Sequence, residues 1–143
     1  MTIGGSPVRL DEVWAFCMAR LDDEDTAARR VGYDRIEAVE YLWGTKHLLL
    51  QRDDGGESKT TTELDADLAE HIVRHDPAHV LARTAFLRSV VLAEHEPVLV
   101  AADDGRQTTP MVVCRLDGDD CPVSQGFAAL YDKHPAYKEA WRP

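Results

Sequence analysis

Three residues in the second half of the chain, His95, Cys114 and Cys121, form a candidate site for a transition metal. Imidazole and thiolate donors match the borderline softness of Zn²⁺, which structural sites hold with four ligands in a tetrahedron. The candidates for a fourth ligand are the acidic residues nearby: Asp103, Asp104, Asp117, Asp119 and Asp120. The cysteine spacing is Cys-x6-Cys and not Cys-x-x-Cys. The alternative is therefore two small buried thiols and a surface histidine.

A second group of histidines lies upstream. His71, His75 and His79 recur at intervals of four, and two histidines at that interval on one helix can share a metal. Pro77 breaks such a helix, because it lacks an amide proton and disfavours helical backbone in the residue before it. We therefore interpret the first two histidines as residues near a helix C-terminus, where positive charge is favoured, and His79 as part of a new helix.

A nucleophilic role for Cys121 is a further alternative, since a thiol at a helix N-terminus has a lowered pKa. Asp119 and Asp120 precede it and would raise that pKa again. The sequence contains neither a glycine-rich oxyanion loop nor a pattern that would orient a Cys-His pair. We therefore expect the protein not to be an enzyme.

The elements that would position these residues can be read from periodicity and turn signals. Apolar residues recur at helical spacing from residue 10 to residue 21, which predicts an amphipathic helix that ends near Gly32. Asp76 and Pro77 are typical of an N-cap and a first helical position, and the helix they start should end near His95. Asp120 or Cys121, followed by a proline, predicts another helix start.

Two stretches predict β-hairpins. The DDGG sequence at residues 53–56 is a turn signal, with strands predicted at residues 41–43, 47–51 and 59–62 around it. Residues 98–116 read as strand, turn and strand, closing on Cys114. Together these patterns predict a flexible N-terminal arm, residues 1–7, and a single α+β domain, residues 8–143, in which antiparallel β-hairpins pack against about four helices.

Composition limits the classes of partner. The formal net charge is −10, with 26 acidic and 16 basic residues, which opposes binding to phosphate backbones. No nucleotide-binding glycine motif is present, and no apolar run has the length of a membrane span. The sequence lacks an apolar leader and has an odd number of cysteines, three, so we expect a reducing, cytoplasmic location.

The C-terminal tail is rich in aromatic residues. Tyr131, Tyr137 and Trp141 could anchor an interface with a protein partner, because Tyr and Trp often carry the binding energy of such interfaces. The alternative is that these rings cover the core at the end of the chain.

Three motifs of this chain resemble the domain-of-unknown-function family 6221 of small actinobacterial and actinophage proteins. They are VWAFCMARLDDEDTAAR in the first helix, HIVRHDPAHVLAR in the middle and CPVSQGFAALYDKHPAYKEAWRP at the end. The family has no assigned activity, but its histidine, Cys-x-x-Cys and later cysteine resemble a zinc site. His95 and Cys121 match that pattern, Cys114 matches it loosely, and the Cys-x-x-Cys is absent here.

These observations predict a small non-enzymatic protein that binds a protein partner or acts as an accessory protein. A structural zinc module built on His95, Cys114 and Cys121 is the first alternative. An acidic mimic that inhibits a nucleic-acid-binding enzyme is the second.

Overall fold

The structure, a computed structural model, describes residues 8–40, 45–61, 63–103 and 108–143. The predicted arm at residues 1–7 and the predicted strand at residues 41–43 lie outside the described residues. The described chain forms two compact units. One is Asp22–Ala85, and the other combines residues 8–21 with Phe86–Pro143. The single domain over residues 8–143 stays a prediction.

The predicted α+β class is confirmed. In chain order the described elements are α1 (Leu10–Arg30), β1 (Arg35–Glu40), β2 (Thr45–Gln51), β3 (Lys59–Thr60), β4 (Leu64–Asp65), α2 (Ala66–Val73), α3 (Pro77–Phe86), a π-helical segment (Leu87–Leu92), β5 (Pro97–Asp103), β6 (Thr108–Cys114), α4 (Pro122–Ala129) and a 3₁₀ turn (Glu139–Trp141).

The unit Asp22–Ala85 contains an antiparallel sheet in which β2 is central. β1 pairs with one edge of β2 along its whole length, and β3 and β4 pair with β2 at different positions. The turn between β2 and β3 contains Gly55 at a positive φ of 77°, as the DDGG signal predicted. α2 packs against β1 and β2, and Leu48 and Ala69 are buried.

A buried carboxylate fastens the start of α3 to this sheet. Asp76 is 3% exposed and accepts hydrogen bonds from the backbone amide of His79 at 2.7 Å and from that of Ile36 in β1 at 3.1 Å. Its Oδ1 also lies 2.6 Å from His79 Nδ1. One side chain therefore caps a helix and holds the edge of a strand.

The unit of residues 8–21 and Phe86–Pro143 has its core on the first half of α1. Val13, Cys17 and Leu21 are fully buried at helical spacing and pack with Leu92 and Trp141, among others. β5 and β6 form a separate antiparallel hairpin whose register pairs Pro97 with Cys114. None of the helices in the described part of the chain is long and apolar enough to cross a membrane.

The carboxylate of Asp76 should make the stability of this chain sensitive to acid. Burial alone would raise its pKa, but the amide hydrogen bonds from His79 and Ile36 and the adjacent imidazole hold the pKa below its usual value. The resulting stabilisation is present above the unfolded pKa of about 3.9 and is lost as the pH falls through the folded value. We expect Asp76→Asn to lower the free energy of unfolding at pH 7 by about 2 kcal/mol.

Denaturant unfolding of wild type and Asp76→Asn between pH 3 and pH 7 measures this difference. The difference should shrink as the pH falls below about 5. Asp67→Asn, at an exposed residue in the first turn of α2, is the control and should change stability by less than about 1 kcal/mol. A difference between wild type and Asp76→Asn that does not depend on pH would contradict the assignment.

Candidate metal centre

The β5–β6 hairpin brings two of the predicted ligands to the same end. Cys114 is the last residue of β6 and is paired with Pro97, the first residue of β5. His95 precedes β5 by two residues, and its backbone amide donates to the Leu92 carbonyl at 3.1 Å, which closes the preceding helical turn. Residues separated by 19 positions in the chain are therefore neighbours because the strands are antiparallel.

A tight turn follows Cys114 and presents an acidic side chain. The amide of Cys114 donates to the Gly118 carbonyl at 2.6 Å, and the amide of Gly118 donates back to the Cys114 carbonyl at 3.0 Å. Gly118 has a φ of 84°, which favours glycine. Within the turn the amide of Asp117 donates to Cys114 Sγ at 3.5 Å, so the chain curls around the sulfur.

Cys121 enters the site at the start of α4. It is the N-cap residue and Pro122 occupies the first turn, as the sequence predicted. The thiol makes no capping hydrogen bond, so it is available to the site. The Cys121 carbonyl accepts from the Gln125 amide at 3.0 Å, which fixes the backbone that carries the sulfur.

The four donor atoms converge. One ligand atom from each of His95, Cys114, Asp117 and Cys121 lies within 4.8 Å of every other. His95 Nδ1 is 3.5 Å from Cys114 Sγ, 3.7 Å from Cys121 Sγ and 3.0 Å from Asp117 Oδ2. Bonds of zinc to nitrogen, oxygen and sulfur place the corners of a tetrahedron roughly 3.3–3.8 Å apart. The distances from His95 Nδ1 to the two sulfurs, 3.5 and 3.7 Å, lie in that range, whereas its distance to Asp117 Oδ2 is shorter, at 3.0 Å. The types of donor suit zinc, and the carboxylate would have to shift to complete a tetrahedron.

The sequence candidates for the fourth ligand are thereby reduced to one among the described residues. Asp117 joins the cluster, whereas Asp119 and Asp120 are exposed outside it. Asp104 and the side chain of Asp103 lie outside the described part of the chain. The sequence contains a pattern that could have identified Asp117 as the fourth member, because Asp117 follows Cys114 at the spacing of a Cys-x-x-Cys motif. The turn presents a carboxylate where such a motif would present its second thiolate.

Burial sets the electrostatics of the site. Cys114 and Cys121 are 2% and 1% exposed, and the side chain of Asp117 is 32% exposed. Burial raises the pKa of Cys121. Hydrogen bonds with Ser124 lower this pKa, and the neighbouring Cys114 raises it, so that the net shift is upward. A thiol with a raised pKa is a poor nucleophile. A bound cation would offset the repulsion between the two sulfurs.

The upstream histidines do not form a comparable cluster. The rings of His71 and His75 lie 4.9 Å apart near the end of α2, while Nδ1 of His79 contacts Asp76 Oδ1. The break that Pro77 predicts is observed, since α2 ends at Val73 and α3 begins at Pro77. Among the described residues, these three histidines are absent from any group that could hold a metal ion.

The aromatic residues of the tail pack around Phe16. Trp141 is 4% exposed, and its ring centroid is 5.2 Å from that of Phe16. Tyr131 and Tyr137 are partly buried and pack against the same cluster. Their packing matches the alternative in which these rings cover the core, and their interface role stays a prediction.

The fold and the site define a small α+β protein with a candidate centre of mixed sulfur, nitrogen and oxygen donors. The chain belongs to a family that is described only as "Family of unknown function (DUF6221)", whose model matches residues 10–143. No curated protein and no solved structure matches the chain.

Cys17 is the third thiol, and its environment predicts that it stays protonated. It is fully buried, its thiol donates to the Ser124 carbonyl at 3.3 Å, and burial, with a smaller effect of Cys121, raises its pKa to about 12. We expect iodoacetamide at pH 8 to leave Cys17 unmodified in the folded protein and to label it after unfolding. Peptide mass spectrometry reads the result, and rapid labelling in the folded state would contradict this packing.

Proposed function

We propose that the protein holds one structural zinc ion with His95, Cys114, Asp117 and Cys121. The observation that carries the proposal is the convergence of four donors of suitable type within 4.8 Å of one another. Four protein donors are typical of structural sites, whereas catalytic sites keep a position for water or substrate. The donor set therefore supports a non-enzymatic role.

The ion would connect three elements of one unit. His95 follows the helical region that contains the π-helical segment, Cys114 ends β6, and Cys121 starts α4. An isolated two-stranded hairpin is only marginally stable in water, so a cross-link at its root would contribute directly to folding. Metal binding and the folded state of this unit should be thermodynamically linked.

Metal analysis of the purified protein tests this proposal. We expect about one zinc per chain, and we expect removal of the metal with a chelator to lower the melting temperature by on the order of 10 °C. Cys114→Ser, Cys121→Ser and His95→Ala should each lose most of the bound zinc.

Two substitutions outside the site are matched controls. Cys17→Ala removes a buried thiol and His71→Ala removes an exposed histidine, and both variants should retain stoichiometric zinc. A wild-type protein that contains no zinc after reconstitution, or whose melting temperature does not respond to chelation, would rule the proposal out.

A second proposed function is the binding of a protein partner, and the β5–β6 hairpin favours it. Leu99 and Val100 in β5 and Met111 in β6 have exposed apolar side chains, which are 70%, 38% and 37% exposed. Each strand contains one proline, Pro97 at the start of β5 and Pro110 within β6, and neither can donate a ladder hydrogen bond. Exposed apolar strand edges are sites at which another chain can pair. Cytoplasmic location and the actinobacterial or actinophage origin implied by the resemblance remain predictions.

Site-specific photo-crosslinking in the native host tests the role of this hairpin. A photoreactive residue in place of Leu99 should give adducts with one defined protein, because this side chain is 70% exposed on β5. The same residue in place of Glu57, an exposed loop position of the other unit, is the control. Equal adducts from both positions, or none from position 99, would exclude the hairpin as the binding surface.

A further inference from the structure

We infer that Asp117 is the exchangeable ligand of the centre and yields its coordination position to an external imidazole or thiolate donor, while His95, Cys114 and Cys121 hold the ion. This inference rests on the proposed zinc site and names the kind of ligand that the site would accept. Backbone hydrogen bonds set the two cysteines apart from His95 and Asp117, whose polar side-chain contacts are with members of the cluster. Exposure and donor chemistry then distinguish Asp117 from His95.

The two cysteines are held by the surrounding backbone. Cys114 is paired with Gly118 through both its amide and its carbonyl, at 2.6 and 3.0 Å, and its sulfur accepts the Asp117 amide. Cys121 is fixed by the first turn of α4, where its carbonyl accepts from Gln125 and from Ser124 Oγ. Partners of this kind orient metal ligands and strengthen their binding.

The carboxylate of Asp117 has no comparable support among the described residues. The polar contacts described for its carboxylate are with two other members of the cluster, His95 Nδ1 at 3.0 Å and Cys114 Sγ at 3.8 Å. Nothing outside the cluster is described as fixing its orientation. Its side chain can therefore rotate away without breaking a hydrogen bond to the surrounding fold.

Asp117 is also the most solvent-exposed of the four donors. Its side chain is 32% exposed, compared with 11% for His95, and the two cysteines are almost completely buried. An external donor would thus reach the ion from the side of Asp117. The other three donors would have to be pulled from the interior to leave.

Donor chemistry determines which external ligand competes. Zinc is a borderline-soft ion that binds thiolate and imidazole well, whereas carboxylate is a hard oxygen donor. Imidazole or a thiolate can therefore displace the carboxylate of Asp117. Water would not displace it, because a carboxylate on the same turn as Cys114 has a high local concentration at the ion. A histidine or cysteine side chain of a partner protein has the required chemistry.

Cobalt-substituted protein tests the inference, with imidazole as the probe. We expect imidazole to change the visible absorption of the wild-type Co²⁺ site in a saturable way, while about one Co²⁺ per chain is retained on desalting. Asp117→Cys restores a Cys-x-x-Cys turn, so its spectrum should not respond to imidazole. Its zinc affinity should exceed that of the wild type by about tenfold or more.

Asp119→Asn, an exposed acidic residue just after the turn, is the matched control and should respond to imidazole as the wild type does. The inference is overturned if the wild-type spectrum does not change, if Asp117→Cys responds equally, or if imidazole extracts the metal. These outcomes differ from failure of the zinc proposal itself. If the zinc proposal itself is wrong, the wild-type protein will take up neither Co²⁺ nor Zn²⁺.

Discussion

The register of the β5–β6 hairpin is the constraint on which the candidate site depends. Pairing of Pro97 with Cys114 places His95 beside the thiol, and the turn to Gly118 then directs Asp117 to the same point. A shift of one residue would turn the Cys114 side chain to the opposite face of the hairpin. The sulfur contacts are 3.5–3.8 Å long, so they are weak hydrogen bonds. A cation would satisfy all four donors together.

The proposed zinc ion would add a cross-link to a small hairpin. β5 and β6 pair with each other and, among the described strands, with no third strand. Several of their apolar side chains remain exposed, but Cys114 and Val112 pack with Leu10 and Cys121 in a small buried cluster. The first half of α1 and helix α4, in the same unit, contribute to a larger core cluster around Leu21 and Trp141. Coordination at Cys114 and Cys121 would couple the hairpin to α4.

The sequence predicted the helices, the two hairpin regions and three of the four residues of the candidate cluster, because these follow from periodicity, turn residues and donor chemistry. It did not predict strand β1 at Arg35–Glu40, since the periodicity of that stretch fits a helix as well as a strand. It left five acidic residues as candidates for the fourth donor. Only the turn that ends at Gly118 places Asp117 in the cluster, and turn geometry depends on hydrogen bonds that a spacing rule does not contain. The π-helical segment Leu87–Leu92 was also unexpected, since a helical periodicity pattern does not show a locally widened turn.

The central claim is that two sulfurs, one imidazole and one carboxylate share a single zinc ion. X-ray absorption at the zinc edge of the reconstituted protein measures this ligand set most directly. The account predicts a first shell of two sulfurs at about 2.3 Å and two nitrogen or oxygen atoms at about 2.0–2.2 Å. A shell of nitrogen and oxygen atoms without sulfur, or a shell with a single sulfur, would contradict it.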